Sequence, residues 1–242
     1  MRAYQLVLEW VEKQLFDGEL AIGGRLPGER ALAEHLSVSR TSVREAFRVL
    51  EAMGVIKAGV GSGKDAGTVV IANPATALGS ALRLHVATQH LSIADIVETR
   101  VLLESWAALH AKHGVPALEE AAQLLAEMAS VAAKGEADVN VFLALDVRFH
   151  LALATAAGNA VVSAMMGSLR EAIEGYTAEL AHNLPDWKST VLRLCAEHQA
   201  IFDTIIDGDG SKAAGLIGAH IQGYYREAGF QNGAEIKTCF YP

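Results

Sequence analysis

RLPGERALAEHLSVSRTSVREAFRVLEAMGVI, residues 25–56, is the stretch on which the fold of the chain's first part turns. ERALAEHL, residues 29–36, has the composition of a short helix. VSR then supplies a tight turn, with Ser39 as N-cap of a second helix that runs to about Met53 and ends at Gly54. Val43, Ala46, Phe47 and Leu50 line one face of that helix, while Ser39, Arg40, Thr41, Ser42 and Arg44 crowd its start. Working outward, residues 2–16 form an amphipathic helix, with Leu6, Trp10 and Leu15, and Val7 and Val11 between them, as its apolar stripe. The turn-rich DGELAIGGRLPGE connects it to the quoted stretch. On the other side, VIKAG and GTVVIA read as two short strands joined by the glycine-rich GVGSGKDAG. The order helix, helix, turn, helix, hairpin describes a winged helix-turn-helix.

That arrangement carries its own chemistry. The second helix of a helix-turn-helix lies in the major groove with its first residues near base edges. Hydroxyls at Ser39, Thr41 and Ser42 suit phosphates or base edges, and Arg40 or Arg44 can grip guanine through two hydrogen bonds. Arg30, at the start of the preceding helix, is placed to reach phosphate. The bland alternative is a solvated face on a small helix. It fits any single arginine here, and fits the ordered set with its wing poorly.

The net charge of −8 looks hostile to nucleic acid, but its distribution is uneven. Residues 1–72 hold nine Lys/Arg and nine Asp/Glu, whereas the remaining 170 hold 11 and 19. The acidity therefore belongs to the second part, and the first is neutral overall. A chain of 242 residues suits two domains, and 51% hydrophobic residues suffice for sizeable cores. No apolar run approaches the roughly 20 residues that span a bilayer. The N-terminus is charged throughout, unlike a secretory signal, so a cytoplasmic location and no membrane partner are expected. Cys195 and Cys239 suggest neither a disulfide framework nor a cysteine-based zinc site.

The expected organisation is a DNA-binding domain over 1–72, a linker over 73–77, an all-helical bundle over 78–230 and an irregular tail over 231–242. The fold class is mainly α, with one small β hairpin. Candidate helices after the linker cover about 78–91, 93–113, 117–133, 137–157, 160–182, 187–207 and 210–228, punctuated by glycine and proline. Ser92, with Asp95 three residues on, resembles a capping box.

Within the bundle, VFLALDVRFHLAL (141–153) sets Asp146 and His150 four positions apart on one helical face, with Arg148 pointing elsewhere. A carboxylate in apolar surroundings is costly unless paired or bound to metal. His198 and His220 sit in similar apolar helices. One aspartate and three histidines suit zinc or another borderline divalent ion, but spacing alone does not bring distant helices together. Arg100 has Glu104 four residues after it, which allows an intrahelical ion pair or, alternatively, a guanidinium that grips a ligand carboxylate.

LPGERALAEHLSVSRTSVREAFRVLEAMGVI resembles the DNA-binding domain of GntR-type bacterial transcription regulators, over essentially all of residues 2–72. The resemblance implies that Arg30, Arg40 and Arg44 contact operator DNA beside Ser39, Thr41 and Ser42. It places Gly61 and Gly63 in a wing that enters the minor groove, with Lys64 and Asp65 making that wing more charged than a bare glycine tip. VETRVLLE, LDVRFHLALATAAGN, EHQAI and AHI resemble the FCD effector domain of the FadR subfamily. That implies Asp146, His150, His198 and His220 as ligands of a divalent metal, zinc first and nickel or another divalent ion as alternatives. It also implies Arg100 as anchor of a carboxylate effector. IVETRVLLESWAALH, LPDWKST and HIQGYY are similar to the L-lactate-responsive repressors of actinobacteria.

The expectation is thus a homodimeric repressor that reads a pseudo-palindromic operator and releases it when a small hydroxycarboxylate, L-lactate foremost, binds at the metal. The competing class is a metal-dependent hydrolase or lyase on the same Asp/His site, with Glu197 as general base. Adjacent helical residues point about 100° apart, which makes that base awkward beside His198. No HExxH or nucleophile motif supports it.

Overall fold

Val7 and Val11 on α1 (Ala3–Phe16) are fully buried, and they organise the first part of the chain. The computed structural model describes residues 2–59, 67–135 and 137–229, and divides into two units, Met1–Leu78 and Gly79–Pro242. In the first unit α1 packs on α3 (Arg40–Ala52), and α2 (Glu29–Leu36) joins through Leu32 and Ala33. Val43, Ala46 and Leu50 form the buried face of α3, as their spacing requires, whereas Leu6 lies 41% exposed, so the α1 stripe centres on the two valines. Ser39 caps α3, its Oγ accepting the Ser42 N–H at 3.0 Å. Strands β1 (Ile56–Gly59) and β2 (Gly67–Val70) pair antiparallel, with Ile56 opposite Val70. The expected wing glycines Gly61 and Gly63 lie outside the described residues.

Gly54 makes the turn from α3 to β1 at φ +68°, and a Cβ there would stand 2.2 Å from the Asn73 carbonyl oxygen. The left-handed backbone alone costs a non-glycine residue about 1–2 kcal/mol. Gly54→Ala is therefore expected to destabilise this unit by about 2 kcal/mol or more in a denaturant melt, and an unchanged midpoint would refute the contact.

The second unit is helical throughout its described residues. α4 (Pro74–Ala87), whose first residues belong to the first unit, starts inside the stretch expected to be linker. Proline suits a helix's first position because its missing N–H would be unpaired there anyway. α5 (Ile93–His110), α6 (Pro116–Ala133), α7 (Val139–Ala156), α10 (Trp187–Ile206) and α11 (Gly210–Glu227) build the bundle. α5 packs along α11, α6 along α7, and α10 against both α6 and α11. Ser92 Oγ accepts the Asp95 N–H and starts α5.

The single helix expected over 160–182 is two, α8 (Ala160–Ala172) and α9 (Glu174–His182), separated by Ile173 at φ −117°, ψ 12°. Gly175 weakens continuation there, and while both helices pack on α7, α8 also packs on α5. α7 is apolar enough to cross a membrane by length and composition, with a mean hydropathy of 1.4 over 18 residues. Phe142, Phe149 and Leu153 of that helix are instead buried in the bundle core.

Candidate metal and effector site

Four side chains from three helices meet inside the bundle. Asp146 and His150 come from α7, His198 from α10 and His220 from α11, each offering one ligand atom within 4.8 Å of the others. His198 Nε2 lies at the centre, 3.2 Å from His150 Nε2, 3.1 Å from His220 Nε2 and 3.1 Å from Asp146 Oδ1. All three imidazoles are buried. Burial, reinforced by neighbouring His220, pushes the His198 pKa down to about 3, although Asp146 opposes the shift. Burial lowers His220 as well. Both rings are thus neutral near pH 7, as metal ligation requires.

The backs of two rings face carboxylates. Glu104 Oε2 lies 2.5 Å from His150 Nδ1, and Glu197 Oε2 lies 2.7 Å from His220 Nδ1. At His220, where the hydrogen bond is formed, the carboxylate favours the proton on Nδ1 and turns the Nε2 lone pair inward. Inward lone pairs beside the Asp146 oxygen repel one another unless a cation lies among them. This donor set, one carboxylate and three buried imidazoles, fits a borderline divalent ion.

Glu104 is the hub of the surrounding charges. It is 2% exposed and accepts from Arg100 Nε at 3.0 Å and from Arg170 Nη2 at 3.2 Å. Arg170 Nη1 also donates to Asp146 Oδ2 at 2.9 Å, so one guanidinium bridges two carboxylates. Burial by itself would raise the Glu104 pKa, but Arg170, His150 and Arg100 together hold it well below the ordinary range. Asp146 is likewise held low by His150, His198 and Arg170 against its burial. Arg100 therefore does form the intrahelical pair with Glu104. It also donates from Nη1 to the Tyr225 hydroxyl at 3.0 Å, which in turn lies 3.3 Å from Thr177 Oγ1 of α9. Arg148 points away, exposed, toward Glu120.

In the first unit, Arg40 and Thr41 are exposed at the start of α3. Ser39 and Ser42 are tied to each other through their hydroxyls at 2.9 Å. Arg44 lays two donors on Glu29 of α2, at 3.1 and 2.7 Å, and Arg30 pairs with Glu34 at 3.1 Å. Glu29 thus fixes the Arg44 guanidinium on the exposed face that α2 and α3 share.

The sequence profile described as bacterial regulatory proteins, gntR family, matches residues 3–64, and the FCD domain profile matches residues 95–223. The chain belongs to the GntR family, with an FCD domain. It is 32% identical to the HTH-type transcriptional regulator LutR of Bacillus subtilis, over 87% of this chain and 97% of that one. It is 30% identical to the putative L-lactate dehydrogenase operon regulatory protein of Escherichia coli, over 89% of this chain and 82% of that one. The solved structure of Streptococcus agalactiae GntR has a TM-score of 0.66 at 24% identity, covering 93% of this chain and 99% of that one, which supports the fold. This GntR-family chain is a transcription regulator, not an enzyme. Its Glu197 is no spare base either, because Arg193 occupies Oε1 at 2.6 Å while His220 faces Oε2.

Sequence reasoning missed Arg170 and Tyr225, and saw Glu104 only as a partner of Arg100. Arg170 did leave a signal. It stands four residues after Met166 and three before Ile173, both buried, so it occupies a core position on α8. Tyr225 left none, since a buried tyrosine in a core helix is ordinary.

Proposed function

We propose that this regulator represses genes for the use of L-lactate or a related hydroxy acid, and that the acid binds in the FCD domain and releases operator DNA. The convergence of Asp146, His150, His198 and His220 on one point, with Arg100 in the same buried network, carries this reading. A divalent ion held there, zinc foremost, would supply open coordination positions for a carboxylate and a hydroxyl. Arg100 would hold the carboxylate's charge, and the Tyr225 hydroxyl beside it would orient the guanidinium. Arg30, Ser39, Arg40, Thr41, Ser42 and Arg44 would face the operator. A homodimer would match a pseudo-palindromic site, and this work in the cytoplasm needs no membrane partner.

An effector changes DNA binding only if it favours one arrangement of the protein over another. α8 is suited to pass that preference on. Its Arg170 holds Asp146, while Glu171 and Ser168 press on Gly79 of α4, where a Cβ would come within 2.9 Å of the Glu171 Cβ. α4 leads in sequence to the DNA-binding unit.

The test is fluorescence anisotropy of the protein on DNA from upstream of its own gene, with small hydroxy acids titrated in. L-Lactate is expected to release the DNA with metal present, and to lose that effect after chelation. Arg100→Ala is expected to raise the lactate concentration needed by about 10–100-fold, the worth of a charge-assisted pair of hydrogen bonds. Release by a sugar acid and not by lactate would overturn the lactate assignment. Insensitivity to every acid would overturn the effector reading.

A further inference from the structure

We infer that Glu197 is a positioning residue for His220, fixing the tautomer that turns its Nε2 toward Asp146, His150 and His198, and that Arg193 and Glu227 hold Glu197 in that pose. The inference rests on the metal reading above and deepens it.

The three imidazoles are not held alike. His150 has Glu104 behind it, deep in the core, and His220 has Glu197. His150 Nδ1 and His198 Nδ1 are both buried without a formed hydrogen bond among the described residues, although Glu104 Oε2 lies 2.5 Å from the former, whereas His220 Nδ1 makes its bond to Glu197. Glu197 and His198 are neighbours on α10. Their side chains diverge by about 100°, so one helix gives a ligand and, beside it, a carboxylate that reaches behind the ligand of α11. Such an oriented acceptor selects the Nδ1–H tautomer and leaves Nε2 as the free lone pair.

Glu197 is itself fixed from outside. Arg193, one turn earlier on α10, donates Nη1 to Glu197 Oε1 at 2.6 Å and Nη2 to Glu227 Oε2. Glu227, in the last turn of α11, takes the Thr190 hydroxyl on its other oxygen at 2.6 Å. A carboxylate–guanidinium–carboxylate chain thus clamps α10 to the end of α11 and terminates on His220. The Glu197 side chain keeps 32% of its surface exposed, so it can be changed without opening the core that surrounds Glu104.

The experiment uses the full chain with 15N-labelled histidine. Imidazole nitrogen–proton correlations on metal-free protein read the His220 and His198 tautomers. Competition with a chromophoric chelator reads zinc affinity, and thermal melting checks folding. In Glu197→Ala, His220 is expected to lose its preference for the Nδ1–H form while His198 is unchanged, and zinc is expected to bind about 10–100-fold more weakly. Glu197→Gln, which keeps an acceptor, is expected to restore most of the tautomer preference, and Glu227→Gln to perturb it least. His220 keeping its Nδ1–H form in a folded Glu197→Ala protein would overturn the inference, as would a zinc affinity within about twofold of the parent's. If the parent takes up no zinc, the metal reading fails, and the tautomer measurement on metal-free protein still decides the role of Glu197.

Discussion

His198→Ala is expected to abolish tight zinc uptake and effector-dependent release while leaving operator binding in place. His198 Nε2 is the central atom of the cluster, 3.1–3.2 Å from two imidazole nitrogens and the Asp146 oxygen. Removing it takes a donor from the centre of the set. The loss should exceed the ~10–100-fold that outer-shell partners are worth. A second readout is stability. Zinc at about a thousand times its dissociation constant adds about 4 kcal/mol to the folded parent, and this increment should vanish in the variant. DNA affinity without effector should stay near the parent's, because the residues of α3 belong to the other unit. A variant that still gains stability from zinc would place the metal elsewhere.

Glu104→Ala should be the most damaging single change in the bundle, at about 3–5 kcal/mol in a urea melt. The physical cause is what it abandons. Arg100 and Arg170, 6% and 5% exposed, would both lose their shared carboxylate inside the core. An unpaired buried charge costs far more than the pair contributed. Arg170 would keep Asp146 and Arg100 would keep the Tyr225 hydroxyl, but neither would retain a partner in place of Glu104. Acid acts in the same direction. Because the folded Glu104 pKa lies well below its ordinary 4.5, its contribution is full above about pH 4.5 and is lost as pH falls toward the folded value. The urea midpoint of the parent should therefore drop on acidification through that window, and Glu104→Gln should flatten the dependence. A loss below about 1 kcal/mol in Glu104→Ala would mean that the two arginines find other partners, and that Glu104 is no hub.

Much of the molecule was legible in the chain because it is local. The turn at residues 37–39, the Ser39 cap and the stripe of Val43, Ala46 and Leu50 follow from helix period and cap chemistry, which neighbours within a few positions decide. Asp146 and His150 share a face for the same reason. The break at Ile173 was not legible, since α8 and α9 each have ordinary helical composition and the one local cue, Gly175, is a residue that helices also tolerate. Arg170 turns to Glu104 and Asp146, whereas Thr177 turns to Tyr225. The start of α4 at Pro74 was misjudged because a proline opens a helix as readily as it ends one.

The sequence by itself determined a helix-turn-helix with a hairpin, a helical bundle behind it, and a polar pair out of place in an apolar helix. Family resemblance, not spacing, joined His198 and His220 to that pair. Only the tertiary structure decided that Asp146, His150, His198 and His220 converge, that Glu104 serves Arg100, Arg170 and His150 at once, and that Glu197 stands behind His220. The reason is geometric. Helical period fixes the direction of a side chain around its own axis, and which axis it meets is set by the packing of α5, α7, α8, α10 and α11 on one another.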